Sequence, residues 1–250
     1  MTRRLAVLAT GLVLLLAPIA VVAQDADAEV LPEPGSVLKL GRYTSSAVGP
    51  TISFRADEGW MVGPDATGPI FTLERADQPG TVLSVTRFDG DAYVDSCDET
   101  SLTSVDVSVP RLIEIIAGNP YLNPGPAAVV EVDGFAGLSM DVATPAYDEC
   151  ARPWLLIWAL PIKDGGEFVQ VPDQQSRFIV VDVDGDTIVI AIESFPGVPF
   201  GGLLESSMEL VDSMRIEPGE YVPPEPSEPP AVDEPDASPA ATLDGADASA

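Results

Sequence analysis

Residues 177–193, RFIVVDVDGDTIVIAIE, set Asp182, Asp184 and Asp186 around Gly185. Two readings compete for this stretch. As a calcium loop, with Asp182 as position one, Asp184 is third, Asp186 fifth and Glu193 twelfth, which are acidic ligand positions of an EF-hand loop. The sixth position, where that loop needs glycine for its sharp turn, holds Thr187. As a β-hairpin, Phe178 to Val181 and Ile188 to Ile192 are strand-forming runs, and Asp184-Gly185 is a dipeptide favoured in two-residue type I′ turns. In that hairpin Glu193 lies roughly 20 Å or more from the turn, at about 3.3 Å per residue, and cannot close an ion loop. The flanks favour the hairpin, and the three aspartates alone remain candidate calcium ligands. A second Asp-Gly turn stands in TRFDGDAYVD (86–95), where Asp89 and Asp91 are candidates of the same kind.

The hairpin sets the pattern for its surroundings. IFTLERA (70–76) and TVLSVTRF (81–88) predict another hairpin across Asp77 to Gly80, and PAAVVEVDGFAGLSMDVAT (126–144) predicts two strands around Asp133-Gly134. RPWLLIWALPI (152–162) is apolar on both faces, as a central, doubly covered strand would be. Two segments depart from the period of two. SVPRLIEIIAGNP (108–120) has Ser108 as a plausible N-cap, Pro110 in the first turn, an apolar stripe at Leu112, Ile115 and Ile116, and Gly118 to stop it. PFGGLLESSMELVDSMRI (199–216) places Leu204, Met208 and Val211 on one helical face before a short terminal strand, Met214 to Ile216. An antiparallel β-sheet with two helices packed on it is an α+β fold.

Composition frames this domain. Arg3 and Arg4, the apolar run from Leu5 to Val22 and the small residue Ala23 predict a signal peptide over 1–23. An uncleaved N-terminal helix holding the chain at a membrane is the alternative. Residues 24–35 read as a polar lead-in and 36–217 as a single α+β domain. From Pro218 to Ala250 the chain is rich in Pro, Ala and acid with no basic residue, which predicts a disordered acidic tail. The chain is expected to be secreted or extracytoplasmic.

The formal charge is −28, and −30 once Arg3 and Arg4 are removed. Such a field repels nucleic acid and anionic membrane surfaces, whose binding rests on Lys and Arg contacts to phosphate. It can attract cations or a basic protein partner. Adaptation to salt or a GC-rich genome explains the same acidity without any ligand. In an exported chain the two cysteines, Cys97 and Cys150, read as a disulfide, worth roughly 4 kcal/mol in the loop-closure picture.

Phe54, the Gly59-Trp60 pair, a single mid-chain helix, the glycine-punctuated strand with Val130, Val132, Gly134 and Gly137, the twin hairpins and a closing helix through Leu210-Val211-Asp212-Ser213 occur in this order. Over about residues 50–217 the chain thereby resembles secreted bacterial domains of the PsbP-like type, which include small exported lipoproteins of actinobacteria. The resemblance implies a non-enzymatic accessory or docking role and transfers no functional residue.

The chain contains no histidine. Ser-His-Asp and Cys-His nucleophile systems, HExxH metalloprotease sites and the usual catalytic zinc sites are therefore excluded. Ser36-Val37-Leu38-Lys39 fits S-x-x-K, but the partner S-D-N and K-T-G elements are missing. Trp154 and Trp158 share a strand face by period two, so they are candidates for stacking on a sugar, against the simpler reading of buried core. The sequence-level expectation is an exported binding or accessory module, with no cofactor unless calcium. A carboxylate-dependent hydrolase and a calcium-stabilised structural domain are the alternatives.

Overall fold

The computed structural model describes residues 28–64, 69–147, 150–160, 166–219 and 221. The expected signal segment 1–23, and residues 220 and 222–250 of the expected tail, lie outside the described residues. In chain order the first strands are β1 (Glu29–Val30), β2 (Gly41–Ser45), β3 (Thr51–Ala56), β4 (Trp60–Val62), β5 (Ile70–Arg75) and β6 (Thr81–Phe88). Then come β7 (Asp91–Tyr93), β8 (Leu102–Ser104), helix α1 (Val109–Gly118), β9 (Asn123–Pro124), β10 (Ala128–Val132) and β11 (Phe135–Ala143). The last are β12 (Leu155–Ala159), β13 (Glu167–Gln170), β14 (Gln175–Val183), β15 (Asp186–Ser194), helix α2 (Phe200–Asp212) and β16 (Arg215–Glu217).

These strands form three sheets. The main one runs β10-β11-β14-β15-β6-β5-β4, with β9 also paired to β11, and every pairing in it is antiparallel. A small sheet runs β1-β2-β3-β16, with β1 parallel to β2, and a third runs β13-β12-β7-β8. The 177–193 stretch is the β14–β15 hairpin at the middle of the main sheet. Val183 pairs with Asp186, leaving Asp184 and Gly185 as the two loop residues at φ 53° and 99°. Both positive values belong to a type I′ turn. The same device closes β10–β11, where Asp133 and Gly134 stand at φ 49° and 87°.

The central hairpin is apolar on both faces because each face is covered. Ile179, Val181, Ile188, Ile190 and Ile192 join a cluster with Leu203, Leu210 and Val211 of α2 and with Phe54, Trp60 and Phe71. Phe178, Val180, Val189 and Ala191 join a second cluster with Leu112, Ile113 and Ile116 of α1 and with Leu155, Ile157 and Trp158 of the third sheet. The molecule is thus mainly β, mostly antiparallel, with two α-helices among the described residues.

The RPWLLIWALPI segment supplies an inner strand buried on both faces, as expected, in the third, smaller sheet between β13 and β7. The structure adds to three other expectations. Ser108 stands at the N-cap of α1 but makes no side-chain cap bond, because its hydroxyl donates to Asp106 Oδ2 at 3.0 Å. The polar lead-in 24–35 contributes strand β1, and the Leu31 and Gly35 amides donate to the Thr44 and Val62 carbonyls at 2.8 Å each. The body also extends past 217. The Arg87 guanidinium sits 4.9 Å over the Tyr221 ring, and a Cβ on Gly49 would meet the Tyr221 Cβ at 3.1 Å. Among the described residues, no helix is long and apolar enough to cross a membrane.

Candidate functional site

The structure does not gather the aspartates of the two Asp-Gly turns. Asp182 Oδ1 accepts the Gly185 N–H at 2.7 Å, so it serves the turn itself. Asp89 accepts from Arg87 Nε at 2.5 Å, while Asp186 lies 3.8 Å from Arg87 Nη1. Asp91 accepts the Ser104 hydroxyl at 2.6 Å. Asp184 occupies the first loop position of the turn. Among the described residues no three His, Cys, Asp or Glu side chains form a group that could hold a metal ion. The arginine between the turns answers their acids instead, a pairing that ligand spacing alone does not reveal.

Trp154 and Trp158 do not share a face. Trp154 precedes β12 and is 40% exposed, whereas Trp158 is fully buried, stacked on Phe168 at 4.0 Å and edge-on to Phe178 at 5.8 Å. The period-of-two argument fails because the strand begins at Leu155 and its register against β13 shifts between Leu156 and Trp158. A bulge of this kind turns side chains to the other face. Cys97 and Cys150 are bonded to one another, with Cα atoms 5.1 Å apart.

Glu193 belongs to a different cluster, one the sequence does not announce. It is 6% exposed near the end of β15, and its Oε1 accepts from Gln170 Nε2 at 2.8 Å and Gln174 Nε2 at 2.6 Å. Ser176 and Thr144 donate to Gln170 Oε1 at 2.9 and 3.3 Å, and Gln174 Oε1 accepts the Val171 N–H at 2.8 Å. Burial pushes the Glu193 carboxyl up to about 8, against the pull of the two amide donors. The group is therefore largely a neutral acid near pH 7. Its first neighbours are amides and hydroxyls, and a single glutamate at a strand end gives no sign of them.

Three clefts stand out among the described residues. One of about 420 Å³ lies between the lead-in at Val30 to Pro34 and the turn at Ser45 to Ala47. Another, of about 390 Å³, lies beside Asp141, whose carboxylate is held in a two-point pair by Arg177 at 2.6 and 2.8 Å. The third, of about 510 Å³, is lined by Leu40, Gly41, Arg42, Arg55, Ser213 and Arg215.

The small sheet builds this third groove. Arg42 on β2 stands directly opposite Arg55 on β3, in a ladder whose alternate partners, Tyr43 and Phe54, are buried in the core. Period two then sends both arginines to the outer face. Arg215 enters from β16, which pairs with β3 through Arg215↔Ser53. The Ser213 hydroxyl at the end of α2 accepts the Arg55 backbone N–H at 2.8 Å and ties the helix to the sheet. Arg215 Nη1 donates to the Met214 carbonyl at 2.7 Å and lies 3.5 Å from Asp133 Oδ1. Three of the chain's few basic side chains thus line one groove. The sequence signal is weak, since Gly41–Ser45 carries no clear strand pattern and the opposition of Arg42 to Arg55 depends on its register.

No family model and no curated protein matches the chain. Among solved structures, the chain is similar to a protein of Bacteroides thetaiotaomicron (10% identity, TM-score 0.36) over 66% of this chain and 44% of that one. It is also similar to the cyanobacterial PsbP, CyanoP, of Synechocystis (12% identity, TM-score 0.36), covering 74% and 98% of the two chains. A third is LpqN, involved in cell envelope biogenesis of Mycobacterium tuberculosis (11% identity, TM-score 0.36), covering 76% and 89%.

Proposed function

We propose that this chain is an exported, non-enzymatic binding or accessory module acting at the cell envelope or outside the cell. The observation that supports this reading is the character of the clefts. None of the three described clefts is lined by two carboxylates, and the third includes three arginines in its lining. A carboxylate hydrolase needs two acids with separated pKa values facing a substrate. Among the described residues, the one carboxyl that burial raises strongly, Glu193, lines none of these clefts and has amide partners. The leader-like sequence at 1–23 supports export.

Two measurements test the reading. Fractionation of producing cells is expected to recover the chain in the envelope or the medium, and recovery in the cytoplasm alone would reject export. A panel of chromogenic glycosides, esters and phosphate esters is expected to show no turnover. Turnover that E193Q abolishes would move the chain to the hydrolases.

A further inference from the structure

We propose that strand β10, at the open edge of the main sheet, binds an extended segment of a basic protein partner as an added antiparallel strand. The proposal rests on the reading of the chain as a binding module and names the kind of partner that module takes.

The two edges of the main sheet are finished differently. At the β4 edge the chain covers itself. Val37 forms an antiparallel bridge with Met61, and the Gly35 and Leu38 amides donate to the Val62 and Trp60 carbonyls at 2.8 Å each. The Val62 amide in turn donates to the Ser36 carbonyl at 2.9 Å. At the other edge β10 pairs with β11 alone. The two-residue turn makes Val132 and Phe135 the first pair of that ladder, and in such a hairpin the first pair exchanges both hydrogen bonds. Bonded pairs then alternate along the ladder, so Val130 and Ala128 also face β11. The N–H and C=O groups of Val129 and Glu131 point away from the sheet, and among the described residues no strand pairs with them.

The side chains select the occupant. An open, apolar edge is a template for a further strand, and proteins blunt such edges with lysine, proline or a bulge. Ala128–Val132 reads AVVEV, and its ladder with β11 runs without a shift, so none of the three is present. Val129 is 87% exposed, and Glu131 follows two residues later on the same face, exposed as well. Nearby, Asp133 lies beside Arg215 and Glu114 beside Arg111, whereas Glu131 has no cationic partner among the described residues. A strand laid antiparallel on this edge sets one residue opposite Glu131 and another, two positions on, opposite Val129. Opposite charges and apolar pairs at such positions stabilise a sheet. The fitting partner thus presents a basic and an apolar residue separated by one position, and main-chain bonds supply the rest of the affinity. The field of a −28 chain draws a basic partner and opposes a second copy of this chain.

The test is calorimetric titration and amide exchange of the full chain with the peptide Thr-Lys-Thr-Val-Thr-Lys-Thr-Val, at constant ionic strength. Its Lys and Val side chains share one face, and the same peptide with Glu in place of Lys is the comparison. Saturable binding of the lysine peptide is expected, with at least tenfold slower exchange at the Val129 and Glu131 amides. The glutamate peptide is expected to bind at least tenfold more weakly. V129P removes one outward N–H and none of the β10–β11 bonds, and is expected to weaken binding at least tenfold, whereas E114Q, an acid lost from α1, leaves it unchanged. Thermal melts without peptide check that both variants fold, and exchange at the two amides of the parent decides the site without any variant. Binding without protection of those amides, or equal weakening in V129P and E114Q, would overturn the site. No binding, or equal binding of the two peptides, would overturn the partner class. A dimer in sedimentation that V129P dissolves would give the edge to a second copy and overturn the basic partner. None of these outcomes touches the module reading, which turnover alone would reject.

Discussion

A Cβ added to Gly137 would sit 2.2 Å from the Val180 carbonyl oxygen and 2.7 Å from Val181 Cγ1. Both atoms belong to the neighbouring strand β14, so relief requires parting the ladder at the middle of the main sheet. Gly134, three residues earlier, would have nothing within 4 Å of an added Cβ but stands at φ 87°. The two glycines therefore have different reasons to exist. G137A is expected to cost about 3 kcal/mol or more through overpacking, and G134A about 1–2 kcal/mol through backbone strain. Urea midpoints of the two variants would separate them, and equal losses would show that the strands part more easily than the ladder implies. At the other turn, Asp182 caps Gly185, so D182A is expected to cost about 1 kcal/mol. With Asp182 bonded to the Gly185 N–H, Asp186 beside Arg87, and no three acidic side chains grouped among the described residues, calcium is expected to raise the melting temperature no more than magnesium at equal ionic strength. A calcium-specific rise that D182A removes would restore the ion loop.

At the scale of elements, β15 carries the most pH-sensitive feature. Glu193 ionises near 8 in the folded state and near 4.5 when unfolded. Between those values the native protein holds a proton that the unfolded chain has released. Its contribution is thus fully present below about pH 4.5 and is lost as pH rises through about 8, at a slope of at most about 1.4 kcal/mol per unit. E193Q keeps the Oε1 acceptor for Gln170 and Gln174 and removes the ionisation. The variant is expected to lose less stability than the parent between pH 5 and 8.5, measured by urea unfolding. Parallel curves would place the charged form in the native protein. The same strand shows what was legible. Its hairpin could be read because β-branched runs flank an Asp-Gly pair, and α1 and α2 because their apolar residues recur at helical spacing. Strands β2, β7, β8 and β13 could not be read, since stretches such as Gly41–Ser45 and Glu167–Gln170 are short and lack sustained alternation. The arginine groove and the Glu193 cluster stayed hidden for a further reason: both are made by residues brought together through cross-strand register or tertiary packing.

For the whole molecule, the sheets differ in how they are held. The main sheet joins its strands by long ladders, such as the nine pairs between β14 and β15. In the third sheet β12 meets β7 through one pair, Trp158↔Ala92, aided by the Leu156 N–H bond to the Ser96 carbonyl at 2.9 Å. The Cys97–Cys150 disulfide and the Arg152–Glu99 ion pair bridge the same region. Cys97 lies between β7 and β8, and Cys150 precedes β12, so the covalent link ties together the two halves that this ladder joins weakly. Closing a loop with a sequence separation of 53 limits the unfolded chain by roughly 4 kcal/mol in the loop-closure picture. Stability need not be uniform, and weakly laddered units open first. The double variant C97A/C150A is therefore expected to lose amide-exchange protection at Leu155 to Ala159 and Asp91 to Tyr93 before the β14–β15 hairpin loses any. Its global unfolding free energy should fall by up to about 4 kcal/mol. Loss of protection at the same rate in all three strands would mean that the third sheet and the main sheet unfold as one unit. The second core cluster, which packs Trp158 against Phe178 of the main sheet, would then be what couples them.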